Sequence, residues 1–195
     1  MKQNRCSWPL SSQEMIEYHD REWGRPLFDD TKLYEFFLLD TFQAGLSWAI
    51  ILSKRNNFKK AFSNFNVAKI AAYGREEQNR LLRNSGIIRN KRKIQAAITN
   101  AKIVLDIQKE YGSFAKYLWS FTKGKPIQHS YKRLGDIPTA SKEAEAMSKD
   151  MRARGFLFVG PTTLYAFMQG IGMVNDHLVS CFAHKEAKKA ISRRF

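Results

Sequence analysis

Four residues with metal-binding chemistry stand at the two ends of the chain. Cys6 and His19 lie near the start, and His177 and Cys181 lie near the finish. Cys6 and Cys181 are the only two cysteines. The His177-x-x-x-Cys181 spacing places two ligands on one face if the segment is helical. Two thiolates and two imidazoles complete a tetrahedral zinc ion, and four protein ligands mark a structural rather than a catalytic site. Such a site would clamp the N-terminal arm to a C-terminal helix near 176–182. Two buried free thiols fit the same pattern, because the ligand pairs are distant in sequence and Cys6–His19 is no compact ligand hairpin. A Cys6–Cys181 disulfide also fits, though a chain without a secretory signal disfavours it.

A carboxylate in the wrong place is the second chemical signal. Leu33, Phe36, Phe37, Asp40 and Ala44 share one helical stripe, so Asp40 rides an otherwise apolar face. Burying it unpaired costs several kcal/mol, so it needs a partner in the fold or a ligand. The break Gln43-Ala44-Gly45-Leu46-Ser47-Trp48 follows, with Gly45 and Leu46 at a corner between two helices. A leucine there either tucks into the core or wedges into a base stack. Trp48, one loop from Asp40, suits the wall of a site for a flat cationic ring. A third signal is Leu81 to Ile94, read as a helix–hairpin–helix in which Gly86 permits the turn. Arg89, Lys91, Arg92 and Lys93 surround the helix N-terminus that follows, a device that grips phosphate without reading sequence. A solvated basic turn has the same composition. The tail residues Lys185, Lys188, Lys189, Arg193 and Arg194 read as a solvated end.

Helices must position these groups. Periodicity predicts them at Ser11 to about Trp23, with Ser11-Ser12-Gln13-Glu14 as a capping box, and from Asp30 or Thr31 to about Gln43. Further helices are predicted over Trp48 to about Phe62, 67–72, 75–84, 91–110, 113–121, 141–154 and 161–173. Residues 122–140 form an irregular loop, and no convincing strand is present, so the fold class is all-α. At 195 residues the chain is one domain or two lobes folded together. The division expected is 1–40 with 140–195 as the metal-bearing lobe and 41–139 as the hairpin lobe. Its charge is +15, from 33 basic and 18 acidic residues, which favours a polyanionic partner, nucleic acid first. Fourteen Phe and four Trp fill a core or stack on bases. The start MKQNRCSWPL has no apolar secretory region and no stretch is of transmembrane length, so a cytoplasmic protein without a membrane partner is expected. No Walker or dinucleotide loop, Ser-His-Asp set or HExxH occurs, which excludes a nucleotide cofactor, a motor and a protease. His129 and His184 show no recognisable partner.

Several motifs in register resemble one family, the Tag-type 3-methyladenine DNA glycosylases I. They are Arg5-Cys6-Ser7-Trp8, Tyr18-His19-Asp20-Arg21-Glu22-Trp23-Gly24, Gln43 to Trp48, Gly86-Ile87-Ile88-Arg89, Arg154-Gly155-Phe156 with Phe158-Val159-Gly160, and Val174-Asn175-Asp176-His177. The resemblance runs from Cys6 to Cys181. It implies a helix-hairpin-helix DNA glycosylase fold with structural Zn2+ on Cys6, His19, His177 and Cys181. It also implies hydrolysis of the N-glycosidic bond of 3-methyladenine in double-stranded alkylated DNA by a monomer, without strand nicking. Trp8, Tyr18 and Trp48 carry over as substrate-binding walls, Asp40 as the catalytic carboxylate, and Gly45 and Leu46 as the corner that fills the gap in the duplex. Asp40 stands where the family usually has Glu, and Met15 where it usually has Tyr. These departures leave room for altered lesion preference, such as 3-methylguanine, or for a DNA-binding protein of the same fold without catalysis.

Overall fold

The computed structural model describes residues 4–192, with side chains as far as residue 188; Arg193, Arg194 and the Lys189 side chain lie outside the described residues. The order is α1 (Gln13–Arg21), α2 (Asp30–Gln43), α3 (Trp48–Ser53), α4 (Arg55–Ala61), α5 (Val67–Ala71), α6 (Arg75–Arg83), α7 (Lys91–Tyr111), α8 (Phe114–Ser120), α9 (Lys142–Ala153), α10 (Pro161–Gly170) and α11 (Phe182–Ser192). A short 3-10 turn, Trp8–Ser11, precedes α1. Side-chain oxygens of Asp29, Ser47, Asn90 and Ser141 each accept from a first-turn backbone N–H of their helices. These caps satisfy donors that a helix start leaves orphaned.

Four expectations need correction. The N-cap of α1 is Ser12, which accepts from the Met15 N–H, so the box proposed one residue earlier does not form. The predicted helix from Trp48 to Phe62 is two helices that meet at Lys54, whose ψ of 0° breaks the ladder. Residues 176–181 are turn and coil, and α11 starts only after Cys181. The chain is mostly helical, but β1 (Ile127–Gln128) and β2 (Val174–Asn175) form a two-residue parallel pairing that tethers the irregular 122–140 segment.

Helix α2 is the axis of the core. Every residue from Leu33 to Phe42 is buried, because α2 packs against α3, α7, α8 and α10 on different sides. Phe37 sits among Phe114, Phe156 and Phe167 with ring centroids 5.6–6.0 Å apart, while Phe42 meets Phe58 at 4.9 Å. Edge-to-face contacts of this kind add to the apolar burial, which contributes roughly 1.5–3 kcal/mol per large side chain. One polar link crosses this layer: the Tyr34 hydroxyl donates to the Ala97 carbonyl of α7 at 2.8 Å. Arg55 fastens the outer side, bonding Glu22 at 2.7 Å and the buried Glu35 at 2.6 Å.

The two ends of the chain close against each other. The Phe182 N–H donates to the Asn4 carbonyl, and the Leu27 N–H donates to the Ile171 carbonyl. Gly172 makes this closure possible, with φ +71° and Arg25 backbone so near that a Cβ would stand 2.2 Å from it. Backbone cannot yield as a flexible side chain does. Gly172→Ala is therefore expected to cost at least about 3 kcal/mol, lowering the thermal midpoint by roughly 6–12 °C in a melting experiment.

Candidate functional site

An open pocket of about 410 Å³ gathers Trp8, Met15, Tyr18, Asp40 and Trp48. Four of these are the residues singled out from the sequence as catalytic or substrate-binding. Trp8 comes from the 3-10 turn, Tyr18 from α1, Asp40 from the last turn of α2 and Trp48 from the first turn of α3. The Tyr18 and Trp48 rings lie 5.2 Å apart at 47°, and Trp8 packs edge-on to Trp23 at 5.1 Å. Tyr18 fits because position 170 is glycine: a Cβ there would lie 3.1 Å from its hydroxyl. Trp23, Gln43, Ile137, Pro138, Ala166 and Gln169 also line the pocket and were not foreseen. Ala166 and Gln169 share a face of α10 at i, i+3, a signal that was available. Ile137 and Pro138 carried none, because they sit in an aperiodic loop.

Asp40 is the electrostatic oddity of this pocket. It is only 5% exposed, and among the described residues its carboxyl has no hydrogen bond or ion pair. Burial therefore pushes its pKa well above the usual carboxylate range. Tyr18 is raised too, by burial first and then by the negative charges of Asp40 and Glu22. The indole N–H of Trp48 is a second unsatisfied group, fully buried without an acceptor. Unpaired buried polar groups are rare; Asn175 Oδ1 is another, away from the pocket, while Asp40 and the Trp48 N–H face the same cavity. The cavity is built for a flat ring that supplies positive charge and hydrogen-bond partners.

Beside the pocket is the corner. Gly45 has φ +79° with open space around it, and Leu46 is 37% exposed. A hollow shared with Thr162 and Thr163 at the start of α10 runs from Asp40 to this corner. Arg89, Lys91 and Arg92 are exposed around the N-terminus of α7, as a phosphate-facing patch requires. Lys93 departs from that set. It is 6% exposed, and its ammonium donates to the carbonyls of Phe42 at 2.7 Å and Ala44 at 2.6 Å. Burial lowers its pKa. It caps the end of α2 and holds the corner to α7 instead of facing solvent. Gly86 sits in the turn before α7 without a positive φ, and close packing rather than backbone conformation is what glycine answers there. A Cβ there would approach Asn57 to 3.1 Å, while the Asn84 side chain accepts from the Gly86 N–H.

Cys6, His19, His177 and Cys181 converge although no helix carries the last two. All four are buried, and their ligand atoms lie within 4.8 Å of one another. Neither cysteine is in a disulfide. His177 Nε2 lies 3.0 Å from the Trp23 carbonyl, which can only accept, so that nitrogen carries the proton. His19 Nδ1 faces the Asp20 carboxylate at 2.8 Å, and Arg5 holds that carboxylate in place. Both imidazoles thus turn a lone pair inward, His19 Nε2 and His177 Nδ1 being 3.2 Å apart with both sulfurs around them. Facing lone pairs at that distance suit a cation, and the outer hydrogen bonds orient each ring as a ligand's partners do. His129 and His184 have partners after all: His129 Nδ1 meets buried Asp176 at 2.6 Å, and His184 Nε2 bonds the His129 carbonyl at 2.9 Å.

The methyladenine glycosylase family model matches residues 8–184 of this chain. The DNA-3-methyladenine glycosylase of Haemophilus influenzae is 42% identical over 177 residues, 91% of this chain and 96% of that protein. A crystal structure of 3-methyladenine DNA glycosylase I (TAG) superposes with a TM-score of 0.90 at 45% identity, covering 93% of this chain and 100% of that one. A variant of 3-methyladenine DNA glycosylase I in complex with 3-methyladenine superposes at 0.89 with 34% identity, covering 93% and 97%.

The role of Lys93 is open to a direct check. Lys93→Met leaves two carbonyls of the α2 terminus unpaired and should cost about 2 kcal/mol. A fall of roughly 4–8 °C in the thermal midpoint is expected, with faster proteolysis at Gly45–Leu46. The exposed Lys91→Met serves as the control and should melt as the parent does.

Proposed function

The chain belongs to the methyladenine glycosylase family, and from that premise we infer that its aromatic pocket receives 3-methyladenine flipped out of alkylated DNA. It is a DNA-3-methyladenine glycosylase of base-excision repair, hydrolysing the N-glycosidic bond and releasing the free base. The observation that carries the mechanism is Asp40, an unpaired buried carboxyl beside Trp48 and Tyr18.

Methylation at N3 makes the purine cationic, so the glycosidic bond is weak and the base departs neutral. Little acid catalysis is needed. The enzyme has to pay unstacking, a few kcal/mol by rough estimate, and then hold the cation selectively. An aromatic face contributes about 0.5–2 kcal/mol toward a cationic ring. Entry of positive charge also offsets the burial effect on Asp40: the carboxyl passes its proton to solvent through the open pocket and accepts from the exocyclic amine as a carboxylate. An unmethylated adenine brings no charge and leaves that cost uncompensated. Water then attacks the sugar C1′ from the DNA side. Leu46 fills the gap left in the stack, while Arg89, Lys91 and Arg92 hold phosphates at the α6–α7 hairpin without reading sequence.

A hydrolytic reaction without strand nicking is supported by a pocket that no lysine lines among the described residues, the Lys93 ammonium being engaged by carbonyls. A monomer is the expected state, and on a two-lobe division both lobes contribute walls to the pocket. Among the described residues no helix is long and apolar enough to cross a membrane. The inward lone pairs and two thiols fit Zn2+, held by Cys6, His19, His177 and Cys181. Zinc would supply a rigid crosslink between the chain ends, with no ligand position left for catalysis.

Chromatography of bases freed from methylated duplex DNA tests the reading: 3-methyladenine should be released, and 7-methylguanine should remain. Asp40→Asn should abolish release yet stabilise the empty protein. The folded state keeps the Asp40 proton where the unfolded chain has lost it, so wild-type stability falls as pH rises from about 4. Asp40→Asn is therefore expected to melt higher than wild type at pH 8, the gap closing below about pH 4. Full activity in this variant would remove Asp40 from the mechanism. Elemental analysis of fresh protein should find stoichiometric zinc, and a chelator should lower the melting midpoint; metal-free protein with an unshifted midpoint would defeat the zinc assignment.

A further inference from the structure

Gln169 lies on the pocket-facing side of α10, and its side chain has one hydrogen-bonded partner among the described residues. That partner is Asp176, which is completely buried. Gln169 Nε2 stands 2.7 Å from Asp176 Oδ2, and the same oxygen accepts from the Tyr165 hydroxyl at 2.7 Å. The other carboxylate oxygen meets His129 Nδ1 at 2.6 Å. An amide oxygen placed against that carboxylate would set two acceptors 2.7 Å apart, so the amide nitrogen must face Asp176. The orientation of the amide is thereby settled by chemistry. Its carbonyl oxygen is left without a protein partner and is not sealed from the cavity.

A fixed acceptor in a base pocket discriminates at one edge of a purine. Adenine carries an amine at its six position, a donor, whereas guanine carries a carbonyl there, an acceptor. We propose that Gln169 is a specificity-determining residue: its carbonyl, oriented by buried Asp176, accepts from the six-position amine of the flipped base and turns away methylated guanines. The inference rests on the pocket being the base site. It also bears on the shortened carboxylate at position 40, because a second acceptor keeps the six-position readout when Asp40 sits one methylene further back. A site built around a hydrogen bond rejects the analogue lacking it far more strongly than shape alone does. Asp176 acts through Gln169 and is a positioning residue.

The test uses the full chain and methylated duplex DNA containing both 3-methyladenine and 3-methylguanine, with each released base timed by chromatography. Wild type should favour 3-methyladenine. Gln169→Met keeps the bulk and removes the acceptor, and should lower the 3-methyladenine to 3-methylguanine rate ratio about tenfold. Gln169→Asn withdraws the carbonyl from the pocket and should shift the ratio the same way, so either variant that folds gives the answer. A purely structural role would slow both bases equally, and an unchanged ratio in Gln169→Met and Gln169→Asn overturns the proposal. If wild type releases neither base, the base-site reading fails first and takes this inference with it.

Discussion

An isolated carboxyl held inside the most buried helix is the constraint around which this molecule is arranged. Asp40 gains nothing from the empty protein, since among the described residues no donor or cation reaches it and burial opposes its charge. The surrounding fold must therefore be stable enough to carry it. Helix α2 meets that need with ten consecutive buried residues and partners on several sides. The same rigidity keeps Asp40 in register with Trp48 across the corner, where Lys93 bridges the end of α2 to the start of α7. Strength in the scaffold and discomfort in the pocket are two aspects of one design.

Charge is distributed by a similar logic. The chain carries a large positive excess, yet several of its buried and half-buried cations are engaged within the molecule. Arg55 is spent on Glu22 and Glu35, Arg154 on Glu110 and Asp150, and Lys93 on backbone carbonyls. What remains outward around the hairpin is Arg89, Lys91 and Arg92. A like-signed patch of that kind draws a polyanion in without fixing register, which the pocket then supplies.

Much of this was readable from residue types and spacing. Helices start at Asp30, Trp48 and Lys91, where the pattern placed them, and the apolar stripe through Leu33, Phe36 and Phe37 exposed Asp40 as an anomaly. Local chemistry of that sort leaves a local pattern. The unreadable parts depend on partners far along the chain. Lys93 looked like its basic neighbours because its acceptors are some fifty residues away, at Phe42 and Ala44. His129 looked solitary because Asp176 is 47 positions downstream. The segment 176–181 mimicked a helix through a four-residue spacing that a turn satisfies equally well. Ile137 and Pro138 reach the pocket only because a two-residue parallel pairing anchors their loop, and a pairing that short has no periodicity to detect.

The meeting of the chain ends has a consequence for synthesis. Cys6 and His177 are separated by 171 positions, and the Asn4 carbonyl waits for the Phe182 N–H. Trp8 and Tyr18 are made well before Ala166 and Gln169 of α10, which line the same pocket. Closing so long a loop is entropically slow, and a nascent chain holds its early aromatic residues exposed until then. A chain that stops before α10 carries the hairpin residues and their cations without Ala166 and Gln169, so the order of the sequence sets the exposed basic patch ahead of the α10 wall of the pocket.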